Sequence, residues 1–230
     1  MTKDFDFLKY LRYLIFVSIF VFYGCGSTKT DSPQTAESVF KEAMEKYKDG
    51  SFLDAQNLFN VITLQYPASQ YADDAQYYYA ECNFAHKEYI MAAYNYNLLR
   101  KVYPTSEYSK QALYKVAQCY FELSPTYDRD QEYTNKAIQA YNEYITVFAK
   151  DSLAIEGSKR ITELRNKLGN REYFTAQLYE TLMSYRSALI YYNSIIENYQ
   201  DTKFYEPAYF NKIKILVLMK KNEDARHSIE

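Results

Sequence analysis

The chain has 230 residues, 24% of them charged, and a formal net charge of −2. So mild an acidic balance offers no field for nucleic acid. Two histidines and five glycines are too few and too scattered for a histidine-based metal site, a catalytic triad or a phosphate-cradling loop, so no catalytic residue, metal or cofactor is expected.

Lys3, Lys9 and Arg12 precede an apolar run over residues 13–23 that ends at Gly24-Cys25. The run is well under the roughly 20 residues a helix needs to cross a bilayer, so it reads as a secretion signal rather than a permanent anchor. A Cys directly after a small residue marks a lipoprotein cleavage site. Residues 1–24 are therefore expected to be removed and Cys25 to carry lipid, palmitate included, although Phe22 and Tyr23 stand where such signals favour Leu and a small residue. The competing reading makes Cys25 the end of an uncleaved anchor. Residues 25–33 are polar and aperiodic, as suits a tether, and residues 34–230 remain for one repeat domain with a net charge near −3. Beyond Cys25 the chain has Cys82 and Cys119. They are expected to be buried thiols, not a disulfide framework.

An internal repeat organises this domain. Tyr66-Pro67-Ala68-Ser69-Gln70-Tyr71, followed by Ala75, recurs 37 residues later as Tyr103-Pro104-Thr105-Ser106-Glu107-Tyr108, followed by Ala112. At the same offset Ala43, Ala80 and Ala117 align, as do Phe52 with Tyr89, Ala55 with Ala92, and Cys82 with Cys119. Each unit reads as two helices that cross at the small residue. A turn such as Gly50-Ser51 separates them, an aromatic opens the second, and Pro67 or Pro104 stops it. One unit cannot bury its own apolar face, so the units must stack. Ala149 to Leu153, followed by Gly157, and Gln200 to Phe204, followed by Ala208, keep the frame without Pro. Residues 124–131 form an insertion between the helices of the third unit. Residues 160–183 read as further helix broken at Gly169-Asn170. The expectation is an all-α, TPR-like α-solenoid of about five helix pairs, the last incomplete.

Helix pairs of this kind resemble the tetratricopeptide repeat (TPR), whose usual period is three residues shorter. The Cys25 signal, the two Tyr-Pro-x-Ser/Thr-x-Tyr repeats, Asp128-Arg129-Asp130-Gln131 in the third-unit loop, and the late Tyr185-x-x-Ala188 helix ending in Tyr199-x-Asp201-Thr202 resemble the BamD family of the outer-membrane β-barrel assembly machinery. The likeness runs from Cys25 to Glu230, and departs from the family at Tyr191, where an Arg is usual. It implies a lipoprotein on the periplasmic face of the outer membrane. Its C-terminal repeats would hold the barrel assembly protein (BamA-like), and its N-terminal repeats would receive unfolded outer-membrane proteins.

In a TPR stack the first helices line the inner face. Phe40, Tyr77 and Tyr114, one turn before the crossing Ala residues, are expected there with Met44, Tyr47, Asp74, Glu81, Phe84, Gln111, Gln118 and Phe121. Such a ladder of rings, amides and carboxylates suits an extended aromatic-rich peptide. The opposing reading is that many of the 28 tyrosines simply pack the core. His86 is expected to cap a helix end, and Asp73-Asp74 to complement a helix start. A different periplasmic TPR lipoprotein, coordinating cell-envelope or peptidoglycan enzymes, is the alternative function. A glycan-capturing role is disfavoured by the absence of tryptophan.

Overall fold

The computed structural model describes residues 34–227. The leader, Cys25 and the whole tether, residues 1–33, lie outside the described residues. The described residues form ten helices in order: α1 (Ala36–Lys48), α2 (Phe52–Gln65), α3 (Ala72–Ala85), α4 (Tyr89–Val102), α5 (Ser109–Leu123), α6 (Glu132–Val147), α7 (Ser152–Thr181), α8 (Tyr185–Asn198), α9 (Tyr205–Leu218) and α10 (Asn222–His227). Each packs chiefly on its neighbours in the chain, which is the connectivity of a TPR-like array.

Outside the third pair, whose helices are joined by residues 124–131, the turn inside a pair has one chemistry. Gly50, Lys87, Met183 and Lys220 carry positive φ of 77, 62, 56 and 59°. The next residue's N–H reaches back five positions, from Ser51 to Lys46, Glu88 to Asn83, Ser184 to Tyr179 and Lys221 to Leu216, each at 2.9 Å. A left-handed residue followed by that bond is the Schellman cap. Glycine takes this conformation without strain, whereas Lys and Met tolerate it because the cap satisfies carbonyls the helix leaves open.

Between pairs the chain makes two successive turns. Tyr66 caps α2 just ahead of Pro67, Ser69 N–H bonds Tyr66 O at 3.0 Å, and Ala72 N–H bonds Ser69 O at 3.1 Å. The same bonds form from Phe148 and Tyr199, where Pro is missing, because a side chain takes over. Asp151 accepts from Leu153 N–H at 2.8 Å, and the Thr202 hydroxyl donates to Tyr199 O at 2.7 Å.

Ala43, Ala80, Ala117 and Ala176 are wholly buried at the crossings. Around them lie three apolar cores. The first joins α1, α2 and α3 through Val39, Phe59, Ile62 and Cys82. The second runs from α3 to the first half of α7 through Tyr96, Leu99, Tyr141, Tyr144 and Leu164. The third joins the second half of α7 to α8 and α9 through Ala188, Tyr192, Ile195 and Ile215. Cys82 and Cys119 are free, buried thiols. Burial pushes both up to about 12, so they pack as small apolar groups.

One expectation is corrected. Gly169-Asn170 does not break the helix: α7 runs unbroken for 30 residues. Gly169 is there for close approach, since a Cβ would stand 3.1 Å from Thr202 Oγ1 and 3.3 Å from the Phe204 ring. The turn before α9 presses on α7 at that point. Arg165 clamps it by donating from Nε to Asp201 Oδ2 and from Nη2 to Asp201 Oδ1, both at 2.6 Å, and to Asn198 O at 2.7 Å. Asp201 is held below the usual carboxylate range by that guanidinium.

Replacing a helical Gly with Ala normally stabilises by about 1 kcal/mol. Here Gly169→Ala forfeits that gain, and Gly169→Val, whose branches must displace the pinned Thr202, costs about 1–3 kcal/mol. Urea unfolding of the two variants checks both values.

Candidate peptide-binding groove

The first helices α1, α3 and α5 present the predicted residues in register. Phe40, Met44 and Tyr47 lie on α1, Asp74, Tyr77, Glu81 and Phe84 on α3, and Gln111, Tyr114, Gln118 and Phe121 on α5. Their exposure divides them. Tyr77 and Tyr114 are 8% and 5% exposed, which corrects the expectation that their rings line an open groove. Tyr77 stacks on Tyr108 with centroids 4.4 Å apart and tilts against Tyr96. Tyr114 meets Tyr141 and Tyr144 edge-on. A ring one turn before the crossing falls into the wedge between its own second helix and the next turn, and burial there recovers more than exposure would. Half-buried Phe40 behaves likewise, stacking on Tyr71 at 5.1 Å and edging Phe59.

The residues nearer the C-terminal ends of these helices remain accessible, and they are organised electrostatically. Phe84 lies beneath the Lys115 ammonium, 5.0 Å from its centroid. Phe121 lies beneath the Arg160 guanidinium at 4.7 Å. Each ring is thus capped by a cation from the following first helix, a favourable quadrupole contact. Glu81 fixes the first cation, since Lys115 pairs with it at 2.8 Å. The buried Tyr96 hydroxyl donates to the same carboxylate at 2.5 Å, and burial, then the charge of Glu81, raises the Tyr96 pKa. Glu156 and Glu163 hold Arg160 at 3.0 and 3.4 Å. Tyr47 edges Tyr78 at 5.1 Å, and burial pushes its hydroxyl up to about 12. Gln111 is exposed, and Met44 and Gln118 are partly so. His86 caps α3, with its ring edge-on to Phe52 at 6.2 Å.

Sequence reasoning missed Lys115 and Arg160. The signal was present, because the two correspond once the eight inserted residues 124–131 are allowed for. It also missed a second polar depression of about 430 Å³ lined by Tyr173, Gln177, Glu180, Thr181, Asn211 and Lys214. There Asn211 donates to the Tyr173 hydroxyl at 2.9 Å, and Glu180 accepts from Tyr192 at 2.9 Å and Lys214 at 2.7 Å. Burial works to raise the Glu180 pKa, but those two donors hold it lowered.

The model of the outer membrane lipoprotein family YfiO matches residues 32–229, which include all of the described residues. The chain belongs to that family. No curated protein matches it. Among solved structures, a thermophilic TPR protein of Thermus thermophilus is similar at 16% identity and a TM-score of 0.38, over 80% of this chain and 100% of that one. Among the described residues no helix is long and apolar enough to cross a membrane.

Asp74 is the candidate groove residue whose charge the fold opposes: burial, then Asp73 and Glu107, push it up to about 6. A carboxyl whose pKa is higher folded than unfolded (about 3.9) contributes stability below the lower value, and loses it as pH rises through the higher. Asp74→Asn should therefore unfold at higher temperature than wild type at pH 7.5, by on the order of 1 kcal/mol once solvent screening is allowed for. The advantage should vanish at pH 4. Thermal melts of both proteins across that range give the answer.

Proposed function

We propose that this chain is a periplasmic scaffold of the β-barrel assembly complex, held to the outer membrane by lipid on Cys25 after removal of residues 1–24. Its N-terminal repeats receive unfolded outer-membrane proteins, and its C-terminal repeats hold the barrel assembly protein. The observation that carries the reading is the row of cation-capped rings, Phe84 under Lys115 and Phe121 under Arg160, on the chain of an outer membrane lipoprotein family. A flat ring with a charge over it supplies apolar contact to an aromatic side chain and a donor to a peptide carbonyl or terminal carboxylate. A barrel strand ending in an aromatic offers both. The depression at Tyr173, Glu180, Asn211 and Lys214 gives the C-terminal repeats a separate polar surface.

Two experiments test the proposal. Full-length protein tagged at its C-terminus is recovered from detergent-solubilised envelopes. A large outer-membrane barrel with periplasmic domains should copurify, and should be lost when the last two helix pairs are deleted. Recovery of wall-remodelling enzymes without a barrel overturns the reading in favour of a scaffold for peptidoglycan enzymes. A labelled peptide copied from a barrel strand with a C-terminal aromatic should bind the soluble domain, and Phe84→Ala with Phe121→Ala should weaken it about tenfold, roughly 0.7 kcal/mol per ring. In parallel, Cys25→Ala should shift the protein from the membrane to the soluble fraction.

A further inference from the structure

The repeat frame continues into the C-terminal core at an offset of 96 from the second unit. Ala80 corresponds to Ala176, Lys87 to Met183, Tyr89 to Tyr185, Ala92 to Ala188, Tyr96 to Tyr192 and Ala112 to Ala208. The match is structural as well: Ala176, Ala188, Tyr192 and Ala208 are wholly buried, and Met183 repeats the left-handed turn of Lys87. The second half of α7 is therefore the first helix of a new stack.

The first helices α3 and α5 each have a face for the preceding unit's second helix. On α3 that face is Ala75, Tyr78, Cys82 and His86. Ala75 and Cys82 are buried in the core that α2 supplies with Ala55, Phe59 and Ile62, Tyr78 stacks on Phe59 at 5.7 Å, and His86 meets Phe52. On α5 the equivalents Ala112 and Cys119 are buried with Ala92, Tyr96 and Leu99 of α4. On α7 the same face is Arg171, Phe174, Leu178 and Leu182. Cys82 and Cys119 are 0% exposed, yet their equivalent Leu178 is 50% exposed, and Phe174 is 53% exposed where α3 has a part-buried Tyr78. Leu182, like its equivalent His86, lies open at the end of the face.

The covering helix is missing for a topological reason. α6 runs back along the first half of α7, with Tyr141 against Gly157. By Lys167, which bonds the Ser124 hydroxyl at 2.7 Å, the chain has already passed into the loop before α6. Residues 171–182 extend beyond it, and Tyr127 of that loop touches the rim through Phe174, with centroids 5.6 Å apart. Fusing two first helices into one leaves an open seat about 18 Å long, matching a helix of about 12 residues.

We propose that this seat takes an amphipathic α-helix from a partner protein, packed antiparallel to the second half of α7. The positions it replaces on α2 and α4 define its chemistry: an aromatic, a small residue, an aromatic and an aliphatic residue at i, i+3, i+7 and i+10, as in Phe52, Ala55, Phe59 and Ile62. Charge sets its direction. Where α3 and α5 have Ala75 and Ala112 beneath the end of the covering helix, α7 has exposed Arg171, which complements the negative C-terminal end of an incoming helix. The inference does not depend on what the inner face binds.

A photo-crosslinking residue placed at Leu178 in the full-length lipoprotein, in its native cells, tests it. The expected result is one light-dependent adduct whose crosslinked peptide, mapped by mass spectrometry, lies in an amphipathic helix with that spacing. Leu182→Glu should cut the adduct at least fivefold while leaving the thermal melt unchanged, and the same probe at exposed Leu64 should not form it. An adduct to a second copy of this chain, an adduct to an extended strand, or no adduct at all overturns the proposal.

Discussion

The constraint on which the architecture depends is the small residue where two helices of a unit cross. Ala43, Ala80, Ala117 and Ala176 are each completely buried, so backbones meet with nothing larger than a methyl group between them. Close crossing splays the helices, and the wedge that opens must be filled. Aromatic rings fill it, which is why Tyr77, Tyr96, Tyr114, Tyr141 and Tyr144 lie inside. Phenol hydroxyls then need partners within that apolar setting. Tyr96 finds Glu81, Tyr144 finds Asp151, and Tyr192 finds Glu180. Each of these carboxylates also receives a lysine, Lys115, Lys110 and Lys214 respectively. A core built from tyrosine thus fixes carboxylates, and the carboxylates fix lysines on the surface.

This chain of dependence connects packing to the proposed recognition surface. Glu81 is anchored by Tyr96 from within, so Lys115 is held over Phe84 rather than left to sample solvent. A cation ordered in advance costs less entropy to engage a ligand than a free one. The third unit repeats the device with Arg160 over Phe121, steadied by Glu156 and Glu163 on its own helix. In the C-terminal stack Lys214 is fixed through Glu180 and Tyr192.

The long helix α7 departs from strict repetition. It closes the second core with Leu164 and opens the third with Ala176, so the two are joined by continuous backbone and by the clamp of Arg165 on Asp201 and Asn198 O. The same fusion omits one second helix and leaves Phe174, Leu178 and Leu182 bare. An uncovered apolar face at a defined break in a solenoid differs from scattered apolar exposure, because neighbouring units show what geometry covers it.

Local chemistry was legible in the sequence. Tyr-Pro-x-Ser/Thr-x-Tyr, the crossing Ala residues and the Gly50 turn each act within a few residues, so the two-helix unit, its stop signals and the all-helical stack followed from them. The register of the inner face followed too, because every third or fourth residue of a helix must share a side. The sequence could not say which of those residues a ligand could reach. Tyr77 and Tyr114 sit at groove positions by register, but Tyr108, Tyr141 and Tyr144 draw their rings inward, and those partners are about 30 residues away along the chain. Nor could it say that α7 continues through Gly169-Asn170. Glycine is a weak helix former taken alone, and only the turn at Thr202 and Phe204 pressing on that spot shows that the missing side chain serves packing rather than a break.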